Sequence, residues 1–211
     1  MAGVTHRLSS SDDAGSGRPE SEESTMARVP YLAPDDLPES LRSLGGGQII
    51  NLWRVLGHSR QTVEPMARFG AALFGSAAVL DAVDRELLIL VCARANETEY
   101  SWAQHVPISK SLGVTDDQRA ALRRGDLDAA DFTAAQRALL RFAAAVTRGP
   151  RVDDAVYAAA AEHYDDEQLV ESLALVGFYY LVARVSTVLD LDIDAPEGDE
   201  VLQQALAMQE T

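Results

Sequence analysis

The sequence contains very little cysteine and no long apolar run. Its one cysteine, Cys92, lies in an apolar segment, so no disulfide forms within the chain, and we expect a small buried core residue rather than a reactive thiol. A chain without disulfides fits a reducing compartment, which predicts a cytoplasmic protein. No apolar run reaches the roughly 18 residues that a membrane span needs. Residues 1–28 lack the hydrophobic segment typical of a signal peptide.

Basic residues are also scarce. Eighteen Lys and Arg residues face 33 Asp and Glu residues, which gives a formal net charge of −15. Nucleic acids and anionic membranes are bound by basic surfaces, so we expect neither as a partner. The glycine run at 45–47 follows no strand, and no histidine and carboxylate set has metal-ligand spacing on one helix. The sequence therefore predicts no cofactor and no metal, and leaves a small-molecule substrate as the expected ligand.

The sequence almost lacks the alternating apolar and polar pattern of strands, and its Ala, Leu and Val content favours helices. We predict an all-α domain at 29–194, between a disordered tail at 1–28 and an acidic tail at 195–211. The predicted helical segments are 34–44, 48–57, one from 59, 81–94, 98–112, 115–125, 133–149, 153–163 and 165–189. Two segments, 87–93 and 173–188, are apolar nearly all round and predict buried helices. Because one domain of this size buries one such helix easily, we expect a homo-oligomer: a dimer, trimer or hexamer.

The stretch at 85–105, RELLILVCARANETEYSWAQH, carries the polar groups best suited to chemistry. Glu86 is an acidic residue in an otherwise apolar helix. Thr98, Ser101 and His105 follow at spacings of three and four, which places them on one face of the next helix. Glu86 is a candidate to hold one ring nitrogen of His105 and so to set its tautomer. Such a set of groups is typical of sites that move protons.

These residues resemble the carboxymuconolactone decarboxylase family, whose members share the all-helical fold of alkylhydroperoxidase D. The similar segments are NLWRVLGHSRQTVEPMARFGAALFG at 51–75, EYSWAQHVPISKSLGV at 99–114 and, more weakly, VGFYYLVARVSTVLDLDID at 176–194. In the peroxidase branch a glutamate, a pair of cysteines and a histidine form the motif. The resemblance places the glutamate on Glu86 and the histidine on His105, and the two cysteines on Thr98 and Ser101.

The missing cysteines argue against redox chemistry, because a thiolate is the nucleophile of peroxide reduction and disulfide exchange and a hydroxyl does not replace it. We therefore expect no peroxidase. The resemblance to the decarboxylase branch implies a cofactor-independent lyase that acts on a small carboxylated lactone or an enolisable carbonyl acid, with His105 and Glu86 as catalytic groups. The alternatives are a biosynthetic isomerase, cyclase or dehydratase that uses the same pair, and a non-catalytic oligomeric binding protein.

Further residues are candidates for binding the substrate. Arg94 is either a clamp for a carboxylate or a favourable cation at a helix C-terminus. Arg184, inside the last apolar segment, needs a partner: the substrate, Glu86 or an acidic residue of another subunit. The remaining candidates are Thr98, Tyr100, Ser101, Trp102 and His58, of which Tyr100 and Trp102 are alternatively plain core residues and His58 a surface turn residue.

Overall fold

The computed structural model describes residues 27–42 and 49–194, in which the chain forms nine α-helices and no strand. This confirms the predicted all-α class. The predicted tails, apart from residues 27 and 28, and the glycine run at 45–47 lie outside the described residues. The helices are α1 Glu39–Arg42, α2 Asn51–Leu56, α3 Val63–Phe74, α4 Ala82–Ala95, α5 Glu99–Ser111, α6 Asp116–Arg124, α7 Ala134–Arg148, α8 Asp154–Ala161 and α9 Asp166–Val188.

Side-chain caps set most of the helix starts. Thr115, Thr133 and Asp165 each accept a hydrogen bond from the backbone of a glutamine three residues later, and that glutamine's side chain accepts one from the cap residue. These capping boxes satisfy backbone donors that have no partner inside the helix. The predicted helix from Ser59 was wrong in its start, because Ser59 to Thr62 form turns and α3 begins at Val63.

Helix α4 is the centre of the fold. Every residue from Arg85 to Ala93 is buried, and the helix packs against α5, α7 and α9. The prediction that the apolar segment 87–93 is surrounded on all sides is therefore confirmed. Burial of so many Leu, Ile and Val side chains, each worth about 1.5–3 kcal/mol, makes α4 the main source of core stability.

Helix α9 departs from the prediction that it is buried all round. Its inner face, with Val176, Tyr179 and Val182, is buried, whereas Leu173 and Val188 are 45% and 54% exposed on the outer face. By length and composition the helix is apolar enough to cross a bilayer, although no single run of its residues indicated this. Half of that stretch is buried inside the domain, which is typical of a core helix of a bundle.

Candidate active site

Glu86 and His105 meet in the interior of the domain. The Glu86 side chain is fully buried on α4, and its Oε2 lies 2.9 Å from Nδ1 of His105 on α5. The short turn between the two helices makes this contact possible. Asn96 ends α4 by donating from its side-chain nitrogen to the carbonyl of Cys92, and Glu97 follows with a left-handed φ of 54°. The chain then reverses so that α5 returns along α4.

Tyr179 of α9 completes a three-residue chain of hydrogen bonds. Its hydroxyl lies 2.8 Å from Nε2 of His105. Burial, together with the negative charge of Glu86, raises the pKa of Tyr179 well above its ordinary value of 10.0. The phenol therefore keeps its proton and donates it to Nε2, so the ring proton of a neutral His105 lies on Nδ1 and is donated to Glu86. Tyr179 was not among the predicted site residues, because the apolar residues around it carry no periodic signal that distinguishes it from Tyr180.

Thr98 and Ser101, at which the resemblance to the peroxidase branch places two cysteines, are both buried. Thr98 is the N-cap of α5: its hydroxyl oxygen accepts from the backbone N–H of Ser101 at 3.3 Å. The same hydroxyl lies 2.8 Å from the hydroxyl of Ser186 on α9 and 3.4 Å from that of Ser101. The two positions therefore hold a small hydroxyl network that links the start of α5 to α9.

A mostly apolar cavity of about 650 Å³, counting the part open to solvent, adjoins the histidine. It is bounded by α2, α3, α5 and α9, and both His105 and Tyr179 line it together with Ser101 and Gln104. The apolar lining comprises Ile50, Leu52, Trp53, Gly70, Phe74, Ile108, Phe178 and Val182, and Tyr100 completes the wall. A mostly apolar lining with a few polar groups is typical of small-molecule sites.

Asp194, at the end of the described chain, lies behind one wall of this cavity. Its carboxylate accepts hydrogen bonds from the Tyr100 hydroxyl at 2.6 Å, the Gln104 amide at 3.0 Å and the backbone N–H of Asn51 at 2.8 Å. Burial raises the pKa of Asp194 above its ordinary value of 3.8, while the hydrogen bonds from Tyr100 and Asn51 act in the opposite direction. The carboxylate thus ties the start of α2 to α5 behind the cavity wall.

Besides Thr98, which caps α5 behind the cavity, four of the predicted substrate-binding residues lie outside the cavity lining. Arg94 is exposed and donates to the carbonyls of Arg123 and Arg124 at the end of α6. Trp102 packs under the guanidinium of Arg123, and His58 contacts the carbonyl of Pro30 in an exposed turn.

Arg184 is the fourth of these residues. It is exposed rather than buried among apolar residues, and it donates to the backbone and side-chain oxygens of Asn96. The expectation that its charge lies inside an apolar helix was wrong, because it occupies the outer face of α9.

Two buried polar atoms near the pair have no protein hydrogen-bond partner among the described residues: Oε1 of Glu86 and Nε of Arg85. The Arg85 guanidinium lies over the Phe74 ring, 4.9 Å from its centroid, and so approaches the cavity from behind one of its walls. Cys92 is fully buried nearby, and burial raises its thiol pKa to about 12. The reactive thiolate is therefore strongly disfavoured. Within the described residues no group of three His, Cys, Asp or Glu side chains is placed to hold a metal ion.

The central part of the chain is similar to a known protein family. The model of the carboxymuconolactone decarboxylase family matches residues 61–145, which include Glu86, Thr98, Ser101 and His105. The family resemblance noted in the sequence is thus confirmed for this central part of the chain, and the matched segment covers the whole Glu86–His105 motif.

Solved structures show the same fold. The alkylhydroperoxidase AhpD core of an uncharacterised peroxidase-related protein from Ralstonia eutropha JMP134 superimposes with a TM-score of 0.72 at 22% identity, covering 85% of this chain and 96% of that one. A peroxidase-related protein from Silicibacter sp. TM1040 gives 0.71 at 19% identity, covering 88% and 100%. The debrominase Bmp8, as the C82A variant in complex with 2,3,4-tribromopyrrole, gives 0.64 at 15% identity, covering 90% and 99%. No functionally curated protein shows significant sequence similarity to the chain.

Proposed function

We propose that this protein is a cofactor-independent enzyme that transfers protons to and from carbon in a small enolisable carbonyl compound, as an isomerase or a lyase. The observation that carries the proposal is the buried chain Glu86–His105–Tyr179, whose last two members line an apolar cavity. A fully buried carboxylate behind a histidine is suited to stabilise the imidazolium that forms when the ring takes up a proton.

The proposed reaction begins with removal of a proton from the carbon next to the substrate carbonyl. The phenol oxygen of Tyr179 accepts that proton as its own proton passes to Nε2 of His105, and Glu86 balances the imidazolium charge. The hydroxyl of Ser101 donates to the developing enolate oxygen. Return of the proton at a different carbon completes an isomerisation. A positioned acid or base of this kind contributes roughly 10²–10⁴-fold to the rate.

A decarboxylating lyase is the second candidate, and the family match favours it. In that reaction carbon dioxide leaves and the electrons of the broken carbon–carbon bond delocalise into the carbonyl group. The hydrogen-bonded residues Glu86, His105 and Tyr179 then return a proton to carbon. The placement of Arg94 and Arg184 outside the cavity removes the carboxylate clamp that the sequence suggested. We therefore rank proton transfer without loss of carbon dioxide first.

Thiol-dependent chemistry has little support. The chain has one cysteine, and burial holds its thiol protonated. The debrominase that shares the fold, solved with a small aromatic ring bound, supports only the idea that a ring-sized ligand suits this architecture. A purely structural role for the domain is disfavoured by a cavity that carries a buried carboxylate and imidazole at its wall.

The proposal is tested by proton exchange with solvent, which needs no knowledge of the product. A panel of enolisable ketones, lactones and keto acids is incubated with the protein in D2O, and loss of the proton next to the carbonyl is followed by NMR. We expect exchange with the wild type and a loss of at least about a hundredfold in His105→Gln. Carbon dioxide release, measured in parallel, separates the isomerase from the lyase.

The matched control is His163→Gln, which changes an exposed histidine at the end of α8. It should leave exchange unchanged. Equal exchange by wild type and His105→Gln across the whole panel would overturn the proposed role of the histidine.

A further inference from the structure

The cavity beside His105 has no cationic side chain in its lining, and this bears on the substrate. Its lining within the described residues contains neither Lys nor Arg, and neither Asp nor Glu. Arg85 lies behind Phe74, and Arg54, also outside the lining, donates to the carbonyl of Leu32 and to the side-chain oxygen of Asn51. A substrate carboxylate placed here would lose its water without gaining a counter-charge, which is costly.

The carboxylates around the cavity add to this effect. Glu86 lies behind His105, and Asp194 lies behind Tyr100 and Gln104, so negative charge stands on two sides of the space. Both carboxylates disfavour an anionic ligand by like-charge repulsion. Arg54, whose charge acts on Asp194, and Arg85, whose charge acts on Tyr179, offset part of this repulsion from outside the lining. The cavity therefore selects against the carboxylated substrates that the family resemblance implied.

The polar groups that remain are few and suit one oxygen. The proton of the Ser101 hydroxyl is donated to none of the described residues, and the side-chain oxygen of Gln104 receives no hydrogen bond from them. Tyr179 and His105 supply the third polar point. One carbonyl or phenolic oxygen on the ligand satisfies Ser101, while the rest of the wall offers aliphatic and aromatic surface.

We infer that the cavity takes an uncharged, largely apolar ring compound that carries a carbonyl or phenolic oxygen. This rests on the proposed function only for the reaction that follows binding. The binding preference itself stands on the lining of the cavity and on the charges behind it. The inferred ligands are thus uncharged, and small organic acids in their ionised form are excluded.

The test compares acetophenone with benzoate, which share a ring and differ by a methyl group in place of a charged oxygen. Dissociation constants are measured by titration calorimetry at a pH where benzoate is ionised. Acetophenone should bind at least about tenfold more tightly than benzoate. Benzoate binding as tightly as acetophenone, or no binding of acetophenone at all, overturns the inference.

Two kinds of variant assign the binding to this cavity. Gly70→Leu fills it, since even a Cβ at this position lies 3.1 Å from the Phe178 ring, and Ile108→Trp fills it from α5. Each should weaken acetophenone at least about tenfold, and retained affinity in both correctly folded variants overturns the inference.

Ile50→Lys brings a cation to the cavity edge and should reduce the preference for acetophenone over benzoate about threefold. Ile49→Lys, which places the same charge outside the lining, should leave it unchanged. An unchanged preference in Ile50→Lys, or an equal effect of both lysines, counts against selection by the cavity charge.

The binding test and the exchange test fail separately. If acetophenone is preferred but no compound exchanges its protons, the substrate class stands and the proposed reaction is wrong. If exchange occurs only with carboxylated compounds, the reaction stands and the substrate class is wrong.

Discussion

Replacing Tyr179 by phenylalanine separates catalysis from stability more cleanly than any other single change in this domain. The substitution removes one hydroxyl, which lies 2.8 Å from Nε2 of His105, and keeps the ring that packs against Phe74 and Phe178. A neutral hydrogen bond is worth about 1 kcal/mol of net stability. For a domain of this size that amounts to about 2–4 °C in Tm.

The effect on proton transfer is expected to be much larger. If the phenol passes the substrate proton to His105, its loss should lower the exchange rate by about a hundredfold, which is about 2.7 kcal/mol of barrier. Because the pKa of Tyr179 is raised well above 10.0, the wild-type profile should show no loss of activity from tyrosine ionisation at or below that pH.

The matched control is Tyr180→Phe, one residue along the same helix on its exposed face. It should leave both exchange and Tm nearly unchanged. Exchange in D2O and a thermal melt provide the two readouts. A Tyr179→Phe variant that exchanges protons at the wild-type rate would refute the relay, and a variant that loses activity only in proportion to its lost stability would reduce Tyr179 to a packing residue.

Three further predictions concern residues around the site. Because the pKa of Asp194 is raised, its protonation stabilises the folded state fully below pH 3.8, and this contribution is lost as pH rises through the raised pKa. Asp194→Asn should remove this pH dependence from the free energy of unfolding measured in urea, and an unchanged pH profile would contradict the prediction. Native Cys92 should resist aromatic thiol reagents until the protein is unfolded, and Cys92→Ala should retain wild-type exchange. Arg94→Ala should lower Tm slightly without altering exchange, because its partners are the carbonyls of Arg123 and Arg124; a large loss of activity would restore the carboxylate clamp.

The sequence predicted the helices and the Glu86–His105 contact because both depend on local patterns. Thr115, Thr133 and Asp165 are N-cap residues that indicate where helices begin. The residues of the motif lie on two consecutive helices, and one tight turn between these helices brings them together. The predicted ends of these helices agree with the structure within a few residues.

The cavity wall was harder to predict, because it depends on which face of each helix turns inward. A helix that is apolar nearly all round carries no periodic signal, so nothing in its sequence distinguishes Tyr179 from Tyr180. For the same reason Arg184 was expected to lie inside. Asp194 was also missed, since its contacts with Tyr100 and Gln104 join segments that lie about 90 residues apart in the chain.

The hydroxyl network of Thr98, Ser101 and Ser186 has three protons to donate. Ser186, Thr98 and Ser101 hold one hydroxyl proton each, and Ser186 has a further acceptor in the carbonyl of Ala183. Either order of donation among the first two leaves the proton of Ser101 uncommitted to the described protein. The two positions that the resemblance assigns to redox cysteines therefore carry hydroxyl groups in this chain. The last of these hydroxyls, that of Ser101, has a proton free to donate to a ligand in the cavity.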